Sequence, residues 1–124
     1  MNPDKFISGV RDECINELVS DYAKEFSKVD IEKCSDNSIK PLLQYWKEAD
    51  NETRKVLSEF IRLGAQNGVS SLLSIISSGG HFNSEFKEFE LSSINGDSKT
   101  EFSEDLLDVF WEQEELSGNV NAKT

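Results

Sequence analysis

The run AQNGVSSLLSIISSGG, residues 65–80, decides how this chain is read. It carries no charge, and Val69, Leu72, Leu73, Ile75 and Ile76 keep helical spacing up to Ser77. A helix apolar nearly all round belongs in the middle of a fold. Gly79 and Gly80 close it, because glycine takes a left-handed cap without strain. Upstream, from about Glu52, the residues Val56, Leu57, Phe60, Ile61 and Leu63 lie on one helical face. Gly64 and Gly68 stand between the two halves. Two readings stay open: one long helix with a weak point at Gly64–Gly68, or two helices sharing a corner there. A core-like stretch at Val69–Ile76 also leaves open packing across a homodimer.

Towards the N-terminus, apolar residues recur at Phe6, Ile7, Val10, Cys14, Ile15, Leu18, Val19, Tyr22, Phe26 and Val29. Steps of three and four place them on one face of a helix over 3–29, with Asn2 as its cap and Pro3 in its first turn. On that face Cys14 reads as a small buried hydrophobe. Residues 30–40 have no period, and Asp36, Asn37 and Ser38 mark a loop. Pro41 then opens a short helix through Trp46. Asp50 or Asn51 caps the helix that follows.

Downstream of the glycines the pattern changes to β. Phe89, Leu91 and Ser93 alternate with Glu88, Glu90 and Ser92, and Asn95-Gly96 signals a two-residue hairpin turn. The return strand runs from about Ser98 to Phe102. Ser103 caps a last helix to Leu116, with Glu104 and Asp105 in its first turn. Residues 117–124, SGNVNAKT, read as a disordered tail. The expectation is one α+β domain over residues 1–116: four to five helices and one small antiparallel β-hairpin.

The 124 residues include 24 Asp+Glu against 13 Lys+Arg, for a net charge of −11. That balance argues against nucleic acid, whose phosphates need a basic footprint, and against an anionic membrane surface. Residues 1–20 hold no apolar signal segment and nothing is long enough to span a bilayer, so the expected compartment is the cytosol. Cys14 and Cys34 read there as free thiols. His81 is the only histidine, no GxSxG or phosphate-loop frame is present, and no zinc set can be assembled. The expectation is therefore no catalysis and no cofactor.

The acids are unevenly spread. Residues 85–124 hold 11 acids and 3 bases, and from Glu101 to Leu116 there are seven acids and no base. Like charges one helical turn apart repel, so a single-sign face needs a reason. One reading is a solvated surface. The other is a docking surface for a basic partner, made by Glu101, Glu104, Asp105, Asp108, Glu112 and Glu115 with Trp111 beside them. Trp111 also reads as core, since it lies on the shoulder of the apolar stripe of Phe102, Leu106, Val109 and Phe110. A divalent-cation site from Asp105, Asp108 and Glu112 lacks a calcium-type loop.

The order GVSSLLSIISSGG, EFKEFELSSINGD and EDLLDVFWEQEE, about Gly68 to Glu115, resembles that of small cytosolic bacterial immunity proteins of toxin systems, including contact-dependent inhibition. The resemblance implies a protein that binds and blocks one cognate toxin, with no catalytic residues to carry over. An acidic inhibitor suits the basic cleft of a nuclease toxin. The alternative expectation is a structural or regulatory helical module that self-associates through an apolar patch.

Overall fold

The computed structural model of the chain describes residues 1–102 and 105–119. Helices α1 (Pro3–Arg11) and α2 (Glu17–Lys28) are joined by a π-helical turn, Asp12–Asn16, into one continuous rod. A 3-10 turn at Ile31–Lys33 leads to α3 (Lys40–Glu48) and α4 (Asn51–Ser78). Two hairpins follow, β1 (Gly80–Phe82) with β2 (Glu85–Lys87) and β3 (Ser92–Asn95) with β4 (Ser98–Glu101), and then α5 (Leu106–Leu116). The fold is thus α+β and mainly helical, as the periodicities require. It has two hairpins where one was expected.

Local chemistry sets the helix ends. The Asn2 side chain accepts from the Lys5 amide, and Pro3 costs no hydrogen bond in the first turn. Pro41 sits in the first turn of α3, and the Asp50 carboxylate accepts from the Thr53 amide to start α4. That bond, with a further one from the Thr53 hydroxyl, holds the Asp50 carboxyl below its ordinary pKa. Helix α4 runs unbroken through Gly64 and Gly68, so there is no corner. It stops at Gly79, whose φ of 80° and ψ of 178° lie in a region only glycine occupies comfortably. A Cβ there would stand 2.6 Å from Phe86 Cζ and 2.7 Å from the Lys87 carbonyl oxygen. Gly79→Ala is expected to cost about 1–3 kcal/mol for the backbone alone, read as a lower urea midpoint. An unchanged midpoint would mean that the β1–β2 hairpin does not rest on the end of α4.

The main core lies where the first rod, the C-terminal half of α4 and α5 meet. Ile7, Ile15, Leu73, Leu106, Val109 and Phe110 are buried in it, with Val69, Ile76, Leu91 and Trp111 packed around them. The run Val69–Ile76 therefore serves the chain's own core. It is not apolar all round: Leu73 is 3% exposed but Leu72 is 59%, and Ser71, Ser77 and Ser78 also face out.

The π turn corrects the reading of Cys14, which is exposed. Within it the Glu17 amide donates to the Asp12 carbonyl, five residues back. This wider turn re-phases the rod, so that Ile7 and Ile15 face the core and Cys14 turns outward.

The β region differs in two ways. Asn95 pairs with Ser98, so the loop is Gly96-Asp97, one residue later than expected. Gly96 alone has positive φ there, 63°, which suits a turn with glycine first. The hairpin is held through its flanks: Phe102 donates its amide to the Leu91 carbonyl at 3.1 Å and stacks on Phe6. The hairpin missed in the sequence turns at Asn83-Ser84, both at positive φ (51° and 68°). Serine gives no signal for that conformation. Residues 88–91, expected as part of a strand, carry no regular secondary structure and link the two hairpins.

Candidate functional site

Helix α5 carries the acidic face and also one wall of the core. Asp108, Glu112 and Glu115 recur at i, i+4 and i+7, so they share one side, and all three are exposed. Trp111 lies between them in the helical net. It is half-buried, packed against the core and edge-on to Phe110 at 5.2 Å. Phe110 itself is fully buried, and Leu106 and Val109 complete the inner side. Among the described residues, Asp108, Glu112 and Glu115 form no ion pair. Their charges stand in solvent.

The other expected site residues are placed differently. Glu101 is exposed at the end of β4, paired across the hairpin with Ser92. Asp105 caps the helix: its carboxylate accepts from the amides of Leu107 at 2.9 Å and Asp108 at 3.4 Å. Helix α5 therefore starts at Leu106 and not at Ser103. One Asp105 oxygen is committed to its own backbone, so its role is first structural. Glu104 and Ser103 lie outside the described residues. The described start of the expected tail is folded. Ser117 and Gly118, the latter at φ 77°, turn the chain back, and Asn119 donates its amide to the Glu114 carbonyl at 3.0 Å. The remainder, 120–124, lies outside the described residues.

Glu114 is the residue the sequence did not single out. It stands in the acidic run yet is 1% exposed. Arg11 Nε donates to its Oε1 at 2.8 Å, Gln66 Nε2 to its Oε2 at 2.6 Å, and Asn119 Nδ2 to Oε1 at 3.4 Å. Arg62 Nη1 lies 3.7 Å from Oε2 and, buried, has no hydrogen-bond partner among the described residues. Burial alone raises the Glu114 carboxyl. The hydrogen bonds from Arg11 and Gln66, with the Arg11 charge, outweigh it and hold the group below the ordinary glutamate range. Arg11 extends the link to Gln113 Oε1 and Ser117 Oγ, so the first rod, α4 and α5 are tied at one point. A faint signal existed: Glu114 is i+4 from Phe110 and therefore on the core side of the wheel.

The remaining polar features are modest. His81 is exposed on β1, beside Phe86. Cys34 is partly buried, and its thiol reaches the Asp36 carbonyl at 3.6 Å. Among the described residues no group of three His, Cys, Asp or Glu side chains converges as a metal set, so Asp105, Asp108 and Glu112 do not form one. No described helix is long and apolar enough to cross a membrane. No protein-family model matches this chain, and neither a curated protein nor a solved structure matches it.

Proposed function

We propose that the protein is a non-catalytic binding protein of the immunity or inhibitor type, which blocks a basic partner such as a toxin domain. The observation that carries this reading is the side of α5 on which Asp108, Glu112 and Glu115 stand exposed without a neutralising cation among the described residues. Keeping three like charges on one helix face works against the helix by a few tenths of a kcal/mol per neighbouring pair. A basic partner removes that repulsion on binding and is drawn in by the same field. Trp111, half-buried beside the acids, adds a rigid apolar edge of the kind on which binding energy concentrates. Glu101 extends the charge from the neighbouring hairpin. Asp105 adds its charge while it caps the helix.

The experiment is affinity capture from a lysate of the producing cell at low and high salt. The control carries Asp108→Lys, Glu112→Lys and Glu115→Lys. These side chains are exposed, so the fold is expected to hold. One basic protein is expected with the wild type, and its association rate is expected to fall roughly tenfold or more with the control. High salt should weaken capture of the same protein. A partner indifferent to both changes would leave the acidic side a solvated surface.

A further inference from the structure

The outer stripe of α4 lies apart from the acidic face and has no covering among the described residues. Val56, Phe60 and Leu63 follow one another at i, i+4 and i+7 and are 55%, 68% and 51% exposed. The helical period placed them with Leu57 and Ile61, yet only those two turn inward. Beside the stripe, Leu42 and Tyr45 of α3 are 58% and 60% exposed, and Tyr22 of α2 is 40%. The packing beneath is thin. Leu43 and Trp46 are buried, Phe26 meets Trp46 edge-on, and Arg54 lies over the Trp46 ring while bonding the Trp46 carbonyl.

Phe60 stands between two depressions. One, of about 370 Å³, runs between α2, α3 and α4 over Tyr22, Leu42, Tyr45 and Ile61. The other, of about 480 Å³, follows Val56 and Leu63 towards Arg62 and Gln66. A knob and a groove on one surface can satisfy each other about a two-fold axis, ridge into groove.

We propose that this face is the interface with a second copy of the chain, each Phe60 entering the other's groove between α2, α3 and α4. Three observations favour that occupant. The surface presents both halves of the fit. The exposed parts of the six side chains amount to roughly 600 Å² per copy, given ~150–250 Å² for a whole large aromatic. Doubled, that reaches the ~1,200 Å² at which stable interfaces begin. The charge also allows it. Residues 22–63, which supply all six side chains of this face, hold eight bases and eight acids, whereas residues 85–124 are strongly acidic. Two chains of net charge −11 repel least when they meet through their neutral side.

The test is solution mass by sedimentation or light scattering, from micromolar to several hundred micromolar protein, at low and high salt. The purified chain is expected to move from its monomer mass of 14.0 kDa to twice that value as concentration rises, and to keep doing so at high salt. Phe60→Glu and Leu42→Glu are expected to remain monomeric throughout, with unchanged helical circular dichroism, since both side chains stand outside the packed cores. Leu72→Glu, on another side of α4 and 59% exposed, is expected to dimerise like the wild type. The Asp108→Lys, Glu112→Lys, Glu115→Lys chain should also dimerise, which separates this inference from the acidic-face reading. A chain monomeric at every concentration overturns the proposal, and that includes the case of a different protein seated on the stripe. So does a dimer that survives Phe60→Glu and Leu42→Glu.

Discussion

Replacing Glu114 by alanine is expected to destabilise the fold by about 3–5 kcal/mol, the cost of breaking a buried ion pair from one side. The carboxylate receives hydrogen bonds from Arg11, Gln66 and Asn119 and is 1% exposed. Its removal leaves Arg11 Nε and the Gln66 side-chain amide without an acceptor away from water, and Arg11 keeps only its neutral partners Gln113 and Ser117. It also strips Arg62 Nη1 of the buried carboxylate 3.7 Å away and leaves that guanidinium the exposed Glu59, 3.6 Å from its Nε. Against a total stability of about 5–15 kcal/mol for a domain of this kind, the loss is roughly a fifth or more. Urea unfolding measures it. A change under about 1 kcal/mol would mean that water replaces the carboxylate and that the three helical segments do not depend on it.

The same residue gives a pH signature. Its folded carboxyl titrates below the ordinary value near 4.5, so the fold favours the ionised form. The stabilisation is therefore fully present above the unfolded value and is lost as the pH falls through the folded one. Glu114→Gln is expected to be less stable than the wild type at neutral pH and to show a shallower loss on the acid side. Parallel stability curves for the two proteins would contradict this.

Phe110→Ala is expected to cost a similar amount, about 3–5 kcal/mol, by opening a cavity in the main core. The ring is fully buried among Ile7, Ile15, Leu73, Leu106 and Val109, drawn from three separate segments. Its neighbours cannot all collapse into the space, because each is fixed on its own helix. The contrast is Ile94→Ala on β3, where the side chain is 75% exposed and the expected change is under about 0.5 kcal/mol. Thermal unfolding should show a drop of about 10 °C or more for the first and almost none for the second. Equal shifts would mean that the β3–β4 hairpin is as much a part of the core as α5. Position 110 was legible in sequence as core, and position 111 both as core and as an aromatic beside the docking acids; Phe110 is the buried ring of the two. The geometry gives that residue to the core and leaves Trp111 at the edge.

The ends of the elements were legible because their causes are local. Asn2, Asp50 and Gly79 act within four residues of their own positions, through a carboxylate or amide oxygen on a nearby N–H, or through a φ only glycine accepts readily. The mainly helical class followed from spacing alone. The start of α5 was misread because Ser103 and Asp105 are both good caps by residue type, and spacing alone does not show that the Asp105 carboxylate takes the Leu107 amide.

Burial was legible only in part. Periodicity assigns a residue to a broad arc of a helix, and the neighbours decide how much of that arc is covered. The five apolar residues at 56, 57, 60, 61 and 63 looked like one face, but α2 and α3 cover only Leu57 and Ile61 and leave Phe60 in solvent. The π turn moved Cys14 out of the stripe by widening a single turn, for which composition gives no sign. Among the acids of α5, Asp108, Glu112 and Glu115 were found in sequence because exposure is the default for a carboxylate. Glu114 was not, because a buried carboxylate is explained only by its partners. Those partners, Arg11 and Gln66, lie 103 and 48 residues away in the chain. Sequence by itself determined the helices, the caps at Asn2, Asp50 and Gly79 and the acidic run, since these rest on contacts a few residues long. The tertiary structure alone decided which acid is paired, which cysteine is wet and which apolar stripe stays open, since each depends on surfaces that only folding brings together.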